Sequence, residues 1–197
     1  MLKIAIVGNI ACGKSTVENI LKQTGFVVFD TDVLAHNILE DNANKVIEDF
    51  REFNITDEKN CISRKKLGDV VFKDKNLKKR LENIIYPKLK QEIKNKFIEN
   101  SDKDYVFISI PLLFEVGWQN EFDKILFIKT DDEIRLERLM KRNSLTREDA
   151  LYRLNSQLGQ EEKILKSDFV ICNNTNISDL QNEINKFIIL LRTMEHK

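Results

Sequence analysis

The chain has 197 residues, enough for one α/β core carrying insertions. Its 32 Lys and Arg balance 32 Asp and Glu, so the formal net charge is zero and no global basic surface points to nucleic acid. The three cysteines form no CxxC and read as free thiols of a reducing cytosol, the N-terminal apolar run is too short for a secretion signal, and no segment reaches the length of a membrane span.

The first apolar run, "LKIAIV" (2–7), predicts a buried strand. "GNIACGKS" (8–15) follows and reads G-x-x-x-x-G-K-[ST]. "KSTVENILKQTG" then has helical spacing, with Gly25 as a stop signal. Strand, loop and helix in this order are the context that makes the motif a phosphate-binding loop. Backbone N–H groups of the loop, from Asn9, Ile10, Ala11 and Cys12 through Gly13, Lys14, Ser15 and Thr16, would face phosphate oxygens, helped by the helix N-terminus. Lys14 would reach the terminal phosphates and the Ser15 hydroxyl would ligate Mg²⁺. Cys12 reads as a passive small side chain.

"FVVFD" (26–30) is a second strand that ends in acid. From about 33 to 100 the pattern is helical: "LGDVVF", "LKKRLENII" and "YPKLKQEIKNKFIEN" carry apolar residues at i, i+3, i+4, and Pro87 falls where a helix could start. "DYVFISIP" (104–111), "FDKILFIKT" (122–130) and "SDFVICNN" (167–174) are further strands. "DDEIRLERLMKR" (131–142) and "ISDLQNEINKFIILL" are helices. Five short strands separated by helices predict a three-layer α/β fold with a parallel sheet covered on both faces. The long helical stretch between strands two and three reads as an insertion over the sheet's C-terminal edge.

Ligands in such sheets bind at the C-terminal strand ends, so the polar residues there are informative. Strand two is followed by Asp30 and Asp32, which on extended chain would point the same way. One of them could orient or deprotonate an acceptor hydroxyl or hold Mg²⁺ through water; the other reading is a cap for a helix that begins near Val33. Strand three leads to Glu115, and strand five to "NNTN". Arg135, Arg138 and Arg142 share one helix face, which reads either as a solvated basic stripe or as ligands for phosphate. Thr146 and Asp149 form a capping box that starts another short helix. Residues 143–156, with Arg147 and Arg153, are therefore a candidate flap over a triphosphate, and Arg142 is favoured as a functional residue. The basic run 73–80 reads as a solvated face, and His36 and His196 as surface residues. Leu67, Val70, Val71, Phe72, Leu81, Ile84 and Ile85 are either the core of the insertion or the lining of an apolar groove for a long acceptor.

"IVGNIACGKSTV", "FDTDVLAH", "IPLLFE", "RLERLMKRNSLTREDALYRLNSQ" and "DFVICNN" stand in an order and spacing that resemble the dephospho-CoA kinases over nearly the whole chain. The resemblance implies a P-loop NTPase core (1–32, 101–142 and 157–197), a helical acceptor-binding domain (33–100) and a small lid (143–156). It implies ATP and Mg²⁺, with phosphate passed to the ribose 3′-hydroxyl of dephospho-CoA in the cytoplasm, and no nucleic-acid or membrane partner. It assigns the catalytic carboxylate and a metal contact to Asp32, the phosphates to Gly13, Lys14, Ser15 and Thr16, lid contact to Arg142 and the nucleotide base to the Asn173–Asn174 neighbourhood. The oligomeric state is left open, a monomer being favoured. The family pattern differs at four places. Glycine is usual where Asn9 and Ala11 stand, arginine is frequent at His36, histidine at Tyr86 and glycine at Thr175.

Other classes fit less well. A signalling GTPase would need N-K-x-D and D-x-x-G, which the corresponding strand ends lack. A motor ATPase would place an acid at the end of a buried strand, where "VFISIP" has none. A nucleoside monophosphate or shikimate kinase is the nearest rival, and a nucleotide-binding module without catalysis is the rival from a different class.

Overall fold

The computed structural model describes residues 1–194; His196 lies outside them. In chain order the elements are β1 (Leu2–Gly8), α1 (Lys14–Gln23), β2 (Val27–Asp30), α2 (Thr31–Asp41), α3 (Ala43–Asp49), α4 (Arg64–Val71), α5 (Lys75–Glu99), β3 (Tyr105–Ser109), β4 (Lys124–Lys129), α6 (Asp132–Asn143), α7 (Arg147–Asn155), α8 (Gln160–Leu165), β5 (Phe169–Cys172) and α9 (Ile177–Met194). The sheet runs β2-β3-β1-β4-β5. β1 is parallel to both β3 and β4, and β4 is parallel to β5. This bears out the α/β class and the five-stranded parallel sheet.

The sequence order reverses direction at β1, whose neighbours are β3 on one side and β4 on the other. The connections leaving such a point diverge and open a crevice at the strand ends. Ile4, Ala5, Ile6 and Val7 of β1 are completely buried, which explains an unbroken apolar run instead of alternation. The core against that sheet includes Val17 and Leu21 of α1 and Ile184, Phe187 and Leu191 of α9, packed on Ile6, Phe107 and Ile128. Each such side chain, fully buried, contributes about 1.5–3 kcal/mol. A smaller cluster joins Leu136 and Leu139 of α6 to Ala150 and Leu154 of α7, with Ile10 and Ala11 of the first loop packed on it.

The chain forms two compact units, Met1–Phe29 with the chain from Ser101 onward, and Asp30–Asn100. In the second, α2 packs on α5 and α4 on α5. Two helix boundaries differ from the expectation. α2 begins at Thr31, because Asp30 caps it by accepting the Asp32 N–H at 2.9 Å. The two acids are thus not on one extended strand. α5 runs through Pro87 instead of starting there. Proline removes only the hydrogen bond to the Asn83 carbonyl, and the buried residues Ile84, Ile85, Leu89, Ile93 and Phe97 hold the turns on either side together. The chain from Phe50 to Ser63 leaves the helical pattern, with an isolated antiparallel bridge between Thr56 and Ile62, and α8 is a short helix additional to those expected from the sequence.

Candidate phosphate-binding site

The loop between β1 and α1 is held by residues far away in the chain. Asn9 is buried, and its Nδ2 donates to the Leu158 carbonyl at 2.8 Å. The Ile10 N–H donates to Gln157 Oε1 at 2.8 Å. The Cys12 N–H donates to the Asn9 carbonyl, and the Cys12 carbonyl accepts from Asn173 Nδ2 at 2.8 Å and Thr130 Oγ1 at 3.0 Å. The N–H groups of Ile10 and Cys12 are therefore committed within the protein. The α1 N-terminus, at Gly13, Lys14 and Ser15, is left as the main source of phosphate donors. Thr16 closes the first turn, its N–H bonded to the Gly13 carbonyl.

Two backbone positions set the loop's shape. Gly13 has φ 87°, and a Cβ there would lie 2.2 Å from Asn173 Nδ2, so only glycine fits. Ala11 has φ 64°, a left-handed conformation that costs an L-residue about 1–2 kcal/mol. That is one of the positions where the family pattern carries glycine. The Cys12 sulfur fills the space above Gly8, where a Cβ would come within 2.4 Å of it. Burial pushes the Cys12 thiol upward, so it stays protonated and unreactive, as its reading as a passive side chain requires. Cys61 and Cys172 are exposed and free.

Lys14 points to the end of β3. Its Nζ lies 2.9 Å from Glu18 Oε1 and also bonds Ser109 Oγ. Ser109 in turn donates to the same Glu18 oxygen at 2.6 Å. Ser15 is exposed at the start of α1. On the other side of the loop a cavity of about 270 Å³ is lined by Gly13, Thr16, Arg138, Asn173, Thr175 and Ile177. Arg138 Nη2 donates to the Asn173 carbonyl at 3.1 Å, whereas its Nη1 is buried with no hydrogen-bond partner among the described residues. Asn174 turns elsewhere and accepts the Asp131 N–H at 2.9 Å, joining β5 to the start of α6.

The three arginines of α6 do not form one solvated stripe. Arg135 is buried, with Nη2 on Asp132 at 2.7 Å, Arg138 is half-buried, and Arg142 is exposed, with Nε on Asn143 at 2.9 Å. α6 packs on α7 through Leu136 and Leu139, and its three arginines sit at three depths. The capping box is present: Thr146 accepts the Asp149 N–H at 3.2 Å at the start of α7. Arg147 pairs loosely with Glu133 at 3.4 Å. Glu115, in the turn after β3, lies 2.7 Å from the completely buried Lys163 of α8. The two pair as ions, although the angles at Lys163 Nζ do not make a hydrogen bond. Glu18, Ser109, Thr130, Gln157 and Lys163 all escaped sequence reasoning. A charged residue among apolar neighbours on α1 was the one visible signal, and it pointed to Glu18.

In the helical unit, Asp32 lies exposed in the first turn of α2. Leu67, Val71, Ile84 and Ile85 are buried in its core and Phe72 is 81 % exposed, so this set does not line an open groove. A cavity of about 540 Å³ lies elsewhere in the unit, lined among others by His36, Glu40, Asn44, Asn60, Cys61 and Arg64. His36 Nε2 pairs with Glu40 Oε1 at 3.3 Å. Tyr86 donates to Glu82 at 3.0 Å; burial first, then that carboxylate, pushes its phenol above the usual range and keeps it neutral. The basic run is a solvated face as expected, with Arg80 paired to Glu52 at 2.5 Å and lying over the Phe50 ring.

Residues 2–179 match the family model of dephospho-CoA kinase, CoaE. The chain belongs to the dephospho-CoA kinase family. A dephospho-CoA kinase of Listeria innocua is 39% identical over 190 residues, covering 94% of each chain, and one of Campylobacter jejuni strain RM1221 is 39% identical over 188, covering 93% of each. Among solved structures, TT1252 from Thermus thermophilus superposes with TM-score 0.85 at 31% identity over 96% of this chain and 97% of that one. A Campylobacter jejuni dephospho-CoA kinase superposes with TM-score 0.74 at 37% identity over 94% of each chain. A shikimate kinase from Acinetobacter baumannii shares the fold at TM-score 0.56 and 17% identity. Among the described residues no helix is long and apolar enough to cross a membrane.

Proposed function

We propose that this chain transfers the γ-phosphate of ATP to the ribose 3′-hydroxyl of dephospho-CoA, giving coenzyme A and ADP. Family membership supports the reaction. The observation that carries the nucleotide site is the unpartnered Arg138 Nη1, buried beside Gly13 at the mouth of a loop that already holds a lysine. A buried cationic donor without a partner is costly, and an anion or base acceptor would satisfy it.

In this reading Gly13, Lys14 and Ser15 bind the β- and γ-phosphates, with Lys14 meeting the charge that develops on the transferred group. Thr16, Arg138 and Asn173 line the nucleotide cavity. Asn9, Ile10, Ala11 and Cys12 shape the loop from behind, and Asn174 fixes the start of α6. Arg142, in the last turn of α6 beside the lid (143–156), reaches the nucleotide. Asp30 is engaged at the α2 cap, so Asp32 is assigned the acceptor hydroxyl, which it orients and deprotonates. The exposed Ser15 hydroxyl and the Asp32 carboxylate are hard oxygen donors that suit Mg²⁺. The ion would neutralise phosphate charge. Residues 33–100 form the acceptor domain, whose cavity of about 540 Å³ takes the pantetheine arm. The protein acts in the cytoplasm.

The test is a coupled assay with ATP and a panel of acceptors. Dephospho-CoA is expected to be phosphorylated at its 3′-hydroxyl, with AMP, adenosine and shikimate far poorer. Faster turnover of AMP or shikimate at equal concentration would refute the acceptor assignment and leave only a P-loop kinase.

A further inference from the structure

Glu18 has no place in the phosphate-loop motif, which ends at Ser15, yet it is the most confined carboxylate near the loop. It is 4 % exposed and lies one helical turn beyond Lys14, on the same face of α1. A buried carboxylate is stable only when its donors are supplied. Here a single oxygen, Oε1, accepts both from Lys14 Nζ at 2.9 Å and from the Ser109 hydroxyl at 2.6 Å, while Ser109 Oγ also touches Lys14 Nζ. Ser109 is completely buried at the end of β3. The ammonium is thus held between α1 and the central sheet before any nucleotide arrives.

We infer that Glu18 is a positioning residue for phosphoryl transfer: together with Ser109 it aims the Lys14 ammonium at the loop. The inference rests on the phosphate-loop reading given above. An ammonium has three N–H donors. Glu18 and Ser109 occupy two, and the third is directed to an incoming phosphate oxygen. A lysine side chain is otherwise a flexible stem with roughly 2 kcal/mol of rotamer entropy. Fixing it beforehand lowers the reorganisation needed when charge develops on the transferred group.

Steady-state kinetics on four variants test this, with thermal melting as the control for folding. Glu18→Leu removes the acceptor oxygen and keeps an apolar filling. It is expected to keep a cooperative melt but to lower kcat on the order of tenfold or more, with little change in KM for ATP. Glu18→Gln keeps an oxygen that can accept both bonds and should recover most of the rate. Ser109→Ala removes one of the two contacts and should give a smaller loss of the same kind. In a Lys14→Ala background, Glu18→Leu should add almost nothing, because its effect passes through Lys14. A folded Glu18→Leu enzyme with wild-type kcat, or a Glu18→Leu loss that multiplies in full on top of Lys14→Ala, would overturn the inference. Wild-type turnover in Lys14→Ala alone would instead overturn the phosphate-loop reading beneath it. If Glu18→Leu fails to fold, Ser109→Ala decides, and an unchanged kcat there counts against the inference.

Discussion

Asp30 and Asp32 stand in different surroundings because a helix starts between them. Asp30, at the end of β2, accepts the Asp32 N–H and so satisfies one of the orphan donors of α2. Asp32 is one position inside that helix, exposed, in its first turn. Asp32→Asn is expected to lower kcat far more than it changes ATP affinity, whereas Asp30→Asn, with an amide oxygen still able to cap, should leave kcat close to wild type. Loss of activity in the Asp30 variant with a normal Asp32 variant would show that the base was misassigned. Gly13 is a second residue whose identity follows from geometry. Gly13→Ala must accept both a left-handed φ and a Cβ 2.2 Å from Asn173. A destabilisation of about 1–3 kcal/mol is expected, read as a lower urea midpoint with nucleotide binding weakened alongside. An unchanged midpoint would mean that Asn173 yields freely.

At the scale of elements, what could be read from sequence was what is local. A strand, a glycine-bearing loop and a helix follow one another within 23 residues, and each announces itself by its own periodicity and stop signals. The Thr146–Asp149 box is local too, and it caps α7 as its spacing implies. Depth was not legible. Arg135, Arg138 and Arg142 have helical spacing, but spacing cannot tell which turn of α6 lies under α7 and which emerges. Pro87 misled for a related reason: a proline signal is local, and the packing on both sides of it is not. Glu18 and Ser109 meet across 91 residues, beyond the reach of any motif. α7 carries the lid prediction. Arg142→Ala should raise KM for ATP and leave acceptor binding nearly intact. Limited proteolysis within 143–156 should slow when nucleotide and acceptor are both bound. Cleavage at the same rate with and without them would argue that the helix, packed through Ala150 and Leu154, does not move.

For the whole molecule, the proposed acceptor site is the part most open to test, because a reporter stands on the cavity assigned to it. Cys61 is exposed on the lining of the cavity in the helical unit, while Cys172, also exposed, lies at the end of β5. Alkylation of Cys61, followed by peptide mass, should slow when S-methylated dephospho-CoA, whose own sulfur cannot react, is added. Cys172 should be unaffected and serves as the internal standard. Equal protection of both, or of neither, would place the acceptor elsewhere.

The fastening of the first loop has a consequence for how the protein comes to be made. Asn9 depends on a carbonyl 149 residues further on, Ile10 on a side-chain oxygen 147 residues on, and Cys12 on an amide 161 residues on. Contacts of such separation close late, because the chain entropy of a long loop must be overcome before they form. On the ribosome, β1 and α1 emerge well before the groups that shape the loop between them. The phosphate loop is continuous in sequence but is completed by the distal part of the chain.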